Sequence, residues 1–585
     1  MEKYINILSK FQEIYGPDLS RKFQGNLISV LDSFKTVRSM PEDQVILTRD
    51  SILITYGDAI QDERRAPLLV LKEFLDAYVG ECISTVHLLP FFPYSSDDGF
   101  SVMDFNHVDT NLGNWKHIDQ LSESYDLMFD AVINHISVES AWFKKFILGE
   151  QPFVDYFITV DKDYDVSRVF RPRALPLITV YNTQQGPKRV WTTFSEDQVD
   201  LNYHNPEVLI EILRILLMFV ERGARFIRLD AIAYIWKESG SSCIHHDNVH
   251  RIVQLFRLIF DEVAPSVQII TETNVPHEKN ISYFGDGSNE AQLVYNFTLP
   301  PLVLHAFQTR KSNVLTRWAK TLHVPSTQTH FFNFLASHDG IGVTPAKGWI
   351  SESEIEELCD RVKALGGFVS YKDNSDGSRS PYELNINYLD ALGDPSNLDE
   401  SVSNMASRFL ASQSILLELK GLPGIYYHSL LGSRGWQDGV KITGRNRSIN
   451  REKLDFDTLT RELEIEGSLR KSVFKGYISM LRARAYESAD AFSPQSSQTI
   501  LDIDERVFCL IRGDADRPSR VLSITSVTDE IIHLDIEGEL LQSEKFINSQ
   551  AIFNQNASFH WEGRTLHLDL ASYGILWLLV KKEDH

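Results

Sequence analysis

From Ile52 onward the chain alternates between short apolar or β-branched runs and longer stretches with helical periodicity. The short runs are ILITYGD, TVHLLPFFP, LMFDAVINH, RFIRLDA, VQIITETN, FFNFLASHD and LPGIYYHS. Their apolar continuity predicts strands buried on both faces, and the helix-length spacers predict parallel pairing through right-handed crossovers. So many units in succession close on themselves, and the expected α/β fold is a (β/α)8 TIM barrel. Before the first strand, residues 1–45 show helical periodicity (Ile5, Ile7, Leu8, Phe11, Ile14), a break at Gly16-Pro17 and a second amphipathic stretch through Leu27, Ile28, Val30 and Leu31. These features predict an N-terminal helical extension. The catalytic barrel is expected over 46–496, with insertions at about 136–205 and 343–400 that overhang its mouth, being too long for plain loops. After about residue 497 the rhythm changes to alternating strands without helices, which predicts a C-terminal β-sandwich over 497–585.

Composition narrows the function. At 585 residues the chain exceeds a single ordinary core, and its 43% apolar and 24% charged content is that of a soluble globular enzyme. A formal net charge of −22 argues against nucleic acid and anionic membrane as partners, so an anionic substrate requires a local cationic pocket. MEKYINILSK has an early acid and no apolar h-region, and the late apolar run Ile575 to Val580 is too short to cross a bilayer. Cys82, Cys243, Cys359 and Cys509 are scattered without metal-ligand spacing, which suits a reducing cytoplasm without disulfides or structural zinc.

The chemistry lies at the strand ends, where such barrels place it. In GARFIRLD, alternation puts Arg228 and Asp230 on one face, where the guanidinium would hold the carboxylate ionised. DAVINH offers Asp130 and His135, TETN offers Glu272, and ASHD offers His338 and Asp339. A single carboxylate at a strand end is often a helix cap, but several converging on one mouth suit glycosyl transfer with retention. That reaction needs an ionised carboxylate to attack the anomeric carbon and a protonated one to deliver a proton, roughly 5 Å apart. Asp230 suits the first post. Glu272, desolvated after VQII and near negative charge, suits the second. Asp339 would grip sugar hydroxyls as the ring flattens. In the second insertion, YKDNSDGSRSPYELN carries Lys372 and Arg379, cations available to an acidic acceptor or a sugar phosphate.

These runs, together with HLLPFFPYSSDDGFSVMDF, RPRALP, NFTLPPLVLHAF, LASHDGIG, SPYELN and RSINREKL, resemble the α-amylase superfamily, and within it the sucrose phosphorylase group. The resemblance covers nearly the whole chain; SHDGIG and INREKL resemble the phosphorylases rather than starch hydrolases. It implies Asp230 as nucleophile, Glu272 as general acid/base and Asp339 as transition-state stabiliser. It implies Asp97, His135, Arg228, His338 and Arg447 as the clamp on the donor glucose, with Phe100 as an aromatic wall. Arg173 and Tyr382 match positions that meet phosphate or the leaving sugar.

The helical extension most resembles glucosylglycerate phosphorylases, which implies an α-glucoside and inorganic phosphate as substrates. Sucrose 6-phosphate, glucosylglycerol and sucrose phosphorolysis are the alternatives within the group. A hydrolase with the same trio, or an inactive sugar-binding homologue, are alternatives outside it. No cofactor is expected, and no metal, because Asn134 alone does not complete a calcium site. The oligomeric expectation is a monomer or homodimer.

Overall fold

The computed structural model describes residues 2–35, 46–173, 175–374, 378–397, 399–538 and 546–582. Residues 36–45 of the expected extension and 375–377 of the turn-rich run lie outside them. Eight parallel strands close into a barrel in chain order: β1 (Ile52–Thr55), β2 (Thr85–Leu88), β3 (Asp126–Ala131), β4 (Ala224–Leu229), β5 (Gln268–Thr271), β6 (Leu293–Tyr295), β7 (His330–Asn333) and β8 (Leu422–Tyr426). Seven of these carry the apolar runs read from the sequence. The eighth, β6, is only three residues long and sits inside NEAQLVYNF, too short for periodicity to separate it from a loop. Most strand residues are buried on both faces, because helices cover the outside and side chains fill the inside.

The N-terminal helix, Ile5–Ser33, kinks at Gly16, which takes φ 76°, a left-handed value open to glycine, just ahead of Pro17. Its buried stripe of Phe11, Ile14, Tyr15, Leu27, Val30 and Leu31 lies on the barrel helices Pro206–Glu221 and Asp247–Val263. The Tyr15 hydroxyl donates to the Tyr203 carbonyl at 3.0 Å.

Two connections rise above the mouth. Between β3 and β4 lie the paired strands His135–Ser137 and Gln198–Asp200 and the hairpin Ile178–Thr183/Gly186–Trp191. Between β7 and β8, Ile341–Gly342, Arg379–Asn385 and Phe368–Asp373 form a three-stranded antiparallel sheet. Helix Glu352–Ala364, started by a Ser351/Glu354 capping box, supports that sheet. A buried cation from the segment after β4 meets the first connection. The Lys237 ammonium pairs with Asp200 and donates to Asn134 Oδ1 at 2.7 Å. The Asn134 and Asp200 oxygens therefore face a built-in positive charge.

The C-terminal strands form one six-stranded antiparallel sheet curled into a half-barrel. Its last two strands, Phe546–Glu562 and Thr565–Lys582, are 17 and 18 residues long, and register shifts in their pairing bend them. The two layers expected of the cap are the two halves of this sheet. Alternation divides the side chains: Cys509, Ile511, Leu522 and Leu578 fill the cap's own core, while Phe508, Leu510, Val521 and Trp577 join the core of the barrel.

Candidate active site

At the C-terminal end of the barrel a pocket of about 810 Å³, counting its open mouth, is lined by Asp97, Phe100, His135, Arg173, Asp230, Glu272, His338, Asp339, Tyr382 and Arg447. Every one of these was singled out from sequence. They come from the loops after β2, β3, β4, β5 and β7, from both insertions and from the segment after β8, so only closure of the barrel brings them together.

Asp230 follows β4, and the next residue, Ala231, adopts a left-handed conformation (φ 48°). That reversal aims the Ala231 N–H at Glu272 Oε2, 3.0 Å away, and so ties the two carboxyl groups to one turn. Arg228 NH1 donates to Asp230 Oδ1 at 2.8 Å, as alternation along the strand requires, and also contacts Asp130 Oδ1. Asp130 lies below the pocket floor, completed by His87 Nε2 at 2.8 Å. Arg228 is thus shared, which changes the electrostatics expected from sequence. Burial lifts Asp230 to about 8 against the pull of Arg228, with Glu272, Asp130 and Asp339 adding to the rise. Burial raises Glu272 as well, and Asp339 adds to it. Both carboxyl groups are thus raised above the usual carboxylate range, whereas the sequence reading had Arg228 keep Asp230 ionised by itself.

Asp339 is different. Burial would raise it, but Arg447, His338 and Arg451 outweigh that and hold it well below the usual carboxylate range. Arg447 NH1 lies 2.5 Å from Asp339 Oδ1. Asp97 is likewise held down against burial by Arg173, Arg451 and Arg447. Its loop carries left-handed backbone at Asp97 and Asp98 (φ 56° and 48°), and Gly99 passes so close to Pro90 that a Cβ would lie 2.5 Å from the Pro90 carbonyl oxygen.

Of the two histidines, His135 Nε2 already donates to the Phe100 carbonyl at 2.9 Å, so in this state that proton is not offered to a sugar. His338 stacks on Phe100 with ring centroids 4.6 Å apart, is pushed down to about 3 by burial, and has an Nδ1 without a protein partner. Phe100 thus forms a wall by backing onto His338.

On the outer side, Arg173 reaches Asp97 at 3.3 Å and lies over the Phe194 ring. Tyr382 faces the same space, kept protonated by burial. Lys372 and Arg379 are not among the lining residues. Lys372 lies over the Phe170 ring, 4.8 Å from its centroid, and the exposed Arg379 pairs with Asp373 at 2.9 Å. Lys372 sits on the outer strand Phe368–Asp373, and Arg379 opens the middle strand opposite Asp373, beyond the stretch of that strand that Ile341–Gly342 pairs with. Sequence reasoning missed Gln198, Tyr234, Asn274, Phe297 and Glu383 in the lining, and Arg451, which pairs with Asp98 Oδ2 at 2.5 Å. Glu383 and Arg451 stood within SPYELN and INREKL, but nothing in either run showed which way the side chain points.

A family profile described as alpha amylase, catalytic domain, matches residues 77–353. Over 521 residues the chain is 49% identical to glucosylglycerate phosphorylase of Spirochaeta thermophila, covering 88% of each protein. It is 44% identical to glucosylglycerate phosphorylase of Escherichia coli, covering 91% of this chain and 94% of that one. The crystal structure of sucrose 6F-phosphate phosphorylase from Thermoanaerobacter thermosaccharolyticum superposes with a TM-score of 0.71 at 23% identity, over 84% of this chain and 96% of that one. With this identity over this length, the chain belongs to the glucosylglycerate phosphorylase family within the α-amylase family.

Proposed function

We propose that the protein is a retaining glycoside phosphorylase that splits 2-O-(α-D-glucosyl)-D-glycerate with inorganic phosphate, reversibly, into α-D-glucose 1-phosphate and D-glycerate. The observation that carries this reading is three carboxyl groups, Asp230, Glu272 and Asp339, around one pocket whose outer side also carries Arg173 and Arg447. The family's name supports the acceptor.

In this mechanism the pair Asp230/Glu272 carries one proton, placed on Glu272, because only Asp230 touches the Arg228 guanidinium. An Asp230 oxygen bonds to the anomeric carbon as the glycosidic bond breaks, and the Glu272 proton passes to the leaving oxygen, releasing glycerate. A phosphate oxygen then attacks the glucosyl ester from the opposite face. The Asp230 carboxylate leaves, and a proton of the phosphate returns to Glu272. Asp339, held charged by Arg447, accepts hydrogen bonds from sugar hydroxyls that sharpen as the ring flattens. Asp97, His338 and the Phe100 wall hold the donor. Phosphate is already an anion, so what the site supplies is positive charge and exclusion of water. Arg173 and the protonated Tyr382 supply the donors on that side. Lys372 and Arg379 are left out of this reading because neither lines the pocket. A cytoplasmic setting fits four cysteines that are buried and unpaired. No described helix is long and apolar enough to cross a membrane.

The test is release of α-glucose 1-phosphate from glucosylglycerate, sucrose, sucrose 6-phosphate and glucosylglycerol, each with and without orthophosphate. Phosphate-dependent release, fastest from glucosylglycerate, is expected. Another preferred donor would change the acceptor and keep the mechanism, whereas free glucose independent of phosphate would mean a hydrolase.

A further inference from the structure

Both acceptors of the proposed reaction, phosphate and glycerate, are anions, yet the acceptor side of the pocket contains a carboxylate, Glu383, that is 2% exposed. Its oxygens are both occupied: Arg447 Nε donates to Oε1 at 3.0 Å and NH2 to Oε2 at 2.6 Å. The remaining end of the same guanidinium lies 2.5 Å from Asp339. Glu383 therefore grips one side of Arg447 in the two-pronged geometry that fixes a guanidinium plane, and Asp339 takes the other.

The backbone is arranged for this contact. Glu383 lies on Arg379–Asn385, directly opposite Gly342 of the short strand that follows Asp339. Gly340 has no room for a side chain: a Cβ there would lie 2.6 Å from Glu383 Cγ and 2.6 Å from the Leu384 carbonyl oxygen. The glycine of SHDGIG thus admits the insertion to the end of the strand that carries Asp339.

We propose that Glu383 is a positioning residue: it acts through Arg447 to fix the Asp339 carboxylate against the donor glucose, at the expense of phosphate affinity. Two carboxylates around one guanidinium leave the triad with a net negative charge beside the place where phosphate must sit. Replacing Glu383 with a neutral amide removes that charge and loosens the guanidinium, so turnover and phosphate binding should move in opposite directions. General loosening of the pocket would worsen both.

The proposal rests on the phosphorylase reading, and its test compares Glu383→Gln and Glu383→Asp with the wild type. The first variant removes charge and keeps length; the second keeps charge and shortens the reach to Arg447. In Glu383→Gln, kcat should fall by about tenfold or more while the KM for phosphate falls about threefold, with the melting temperature near that of the wild type. In Glu383→Asp, kcat should fall while the KM for phosphate stays within about twofold, since the charge remains. Wild-type kcat in either folded variant, or a rise in the KM for phosphate that tracks a rise in the KM for the glucoside, would overturn the role. Should Glu383→Gln not fold, Glu383→Asp alone decides through kcat. If the wild type proves to be a hydrolase, the phosphorylase reading fails by itself, and the positioning role is decided by whether the kcat of hydrolysis falls in both variants.

Discussion

Asp230 and Glu272 are joined by the Ala231 turn, and their shared proton sets the pH dependence of the chemistry. Burial raises both groups, Asp230 to about 8, so the pair holds its proton further up the pH scale than two free carboxyl groups would. The kcat/KM for a glucoside with a poor leaving group is therefore expected to decline as rising pH strips that proton, and a pH–rate profile checks it. Glu272→Gln should lower kcat by roughly 10²–10⁴-fold and abolish the alkaline decline, because the titrating acid is gone. Asp230→Ala should remove turnover by roughly 10³-fold or more with the fold intact, as judged by circular dichroism. Appreciable residual phosphorolysis would point to another nucleophile. The double variant Lys372→Ala with Arg379→Ala should leave the relative use of glycerate and glycerol as acceptors unchanged. Selective loss of glycerate would return these two cations to the acceptor site.

At the scale of elements, the first insertion is held to the barrel by an ion-pair cluster beside the pocket. Lys237 lies between Asp200 and Asn134, and Asp200 also accepts from Thr193 N at 2.8 Å. Asp200 ends the strand Gln198–Asp200, whose Gln198 lines the pocket and donates to the Phe100 carbonyl at 3.0 Å. Lys237→Met would leave Asp200 buried without its counter-charge, a loss of about 3–5 kcal/mol. The variant should melt several degrees lower, and its KM for the glucoside should rise as Gln198 and Phe100 shift. A lower melting point with an unchanged KM would show that the strand holds its register without the ion pair.

Across the whole molecule, the C-terminal sheet is fastened to the barrel by Glu418, at the end of helix Val402–Glu418 and fully buried. Ser414, Ser523 and Thr525 hydroxyls converge on its Oε2. Burial pushes its carboxyl up to about 8, above its unfolded value near 4.5. Between those values the folded protein holds a proton that the unfolded chain has released, so stability falls as pH rises through that window, by at most about 1.4 kcal/mol per unit. Glu418→Gln, which cannot ionise, should therefore gain in melting temperature over the wild type as pH is raised from 6 to 9. A constant difference over that range would mean that Glu418 is already ionised.

Apolar continuity determined that most of these runs become buried parallel strands, because a strand covered on both faces has no polar side to write into the sequence. It missed β6, where three residues leave no periodicity to read. Alternation placed Arg228 beside Asp230, since neighbours two apart on a strand share a face whatever surrounds them. What the guanidinium does to the carboxylate was decided only by the tertiary structure, because Asp130 comes from a different strand and takes half of it. Composition drew attention to Lys372 and Arg379 as cations near an anion site, yet only the tertiary structure shows that neither lines the pocket, one lying over the Phe170 ring and the other pairing with Asp373. Glu383 stood in plain sight beside Tyr382. Its role depends on Gly340 and Arg447, residues 43 and 64 positions away that meet it only when the barrel closes.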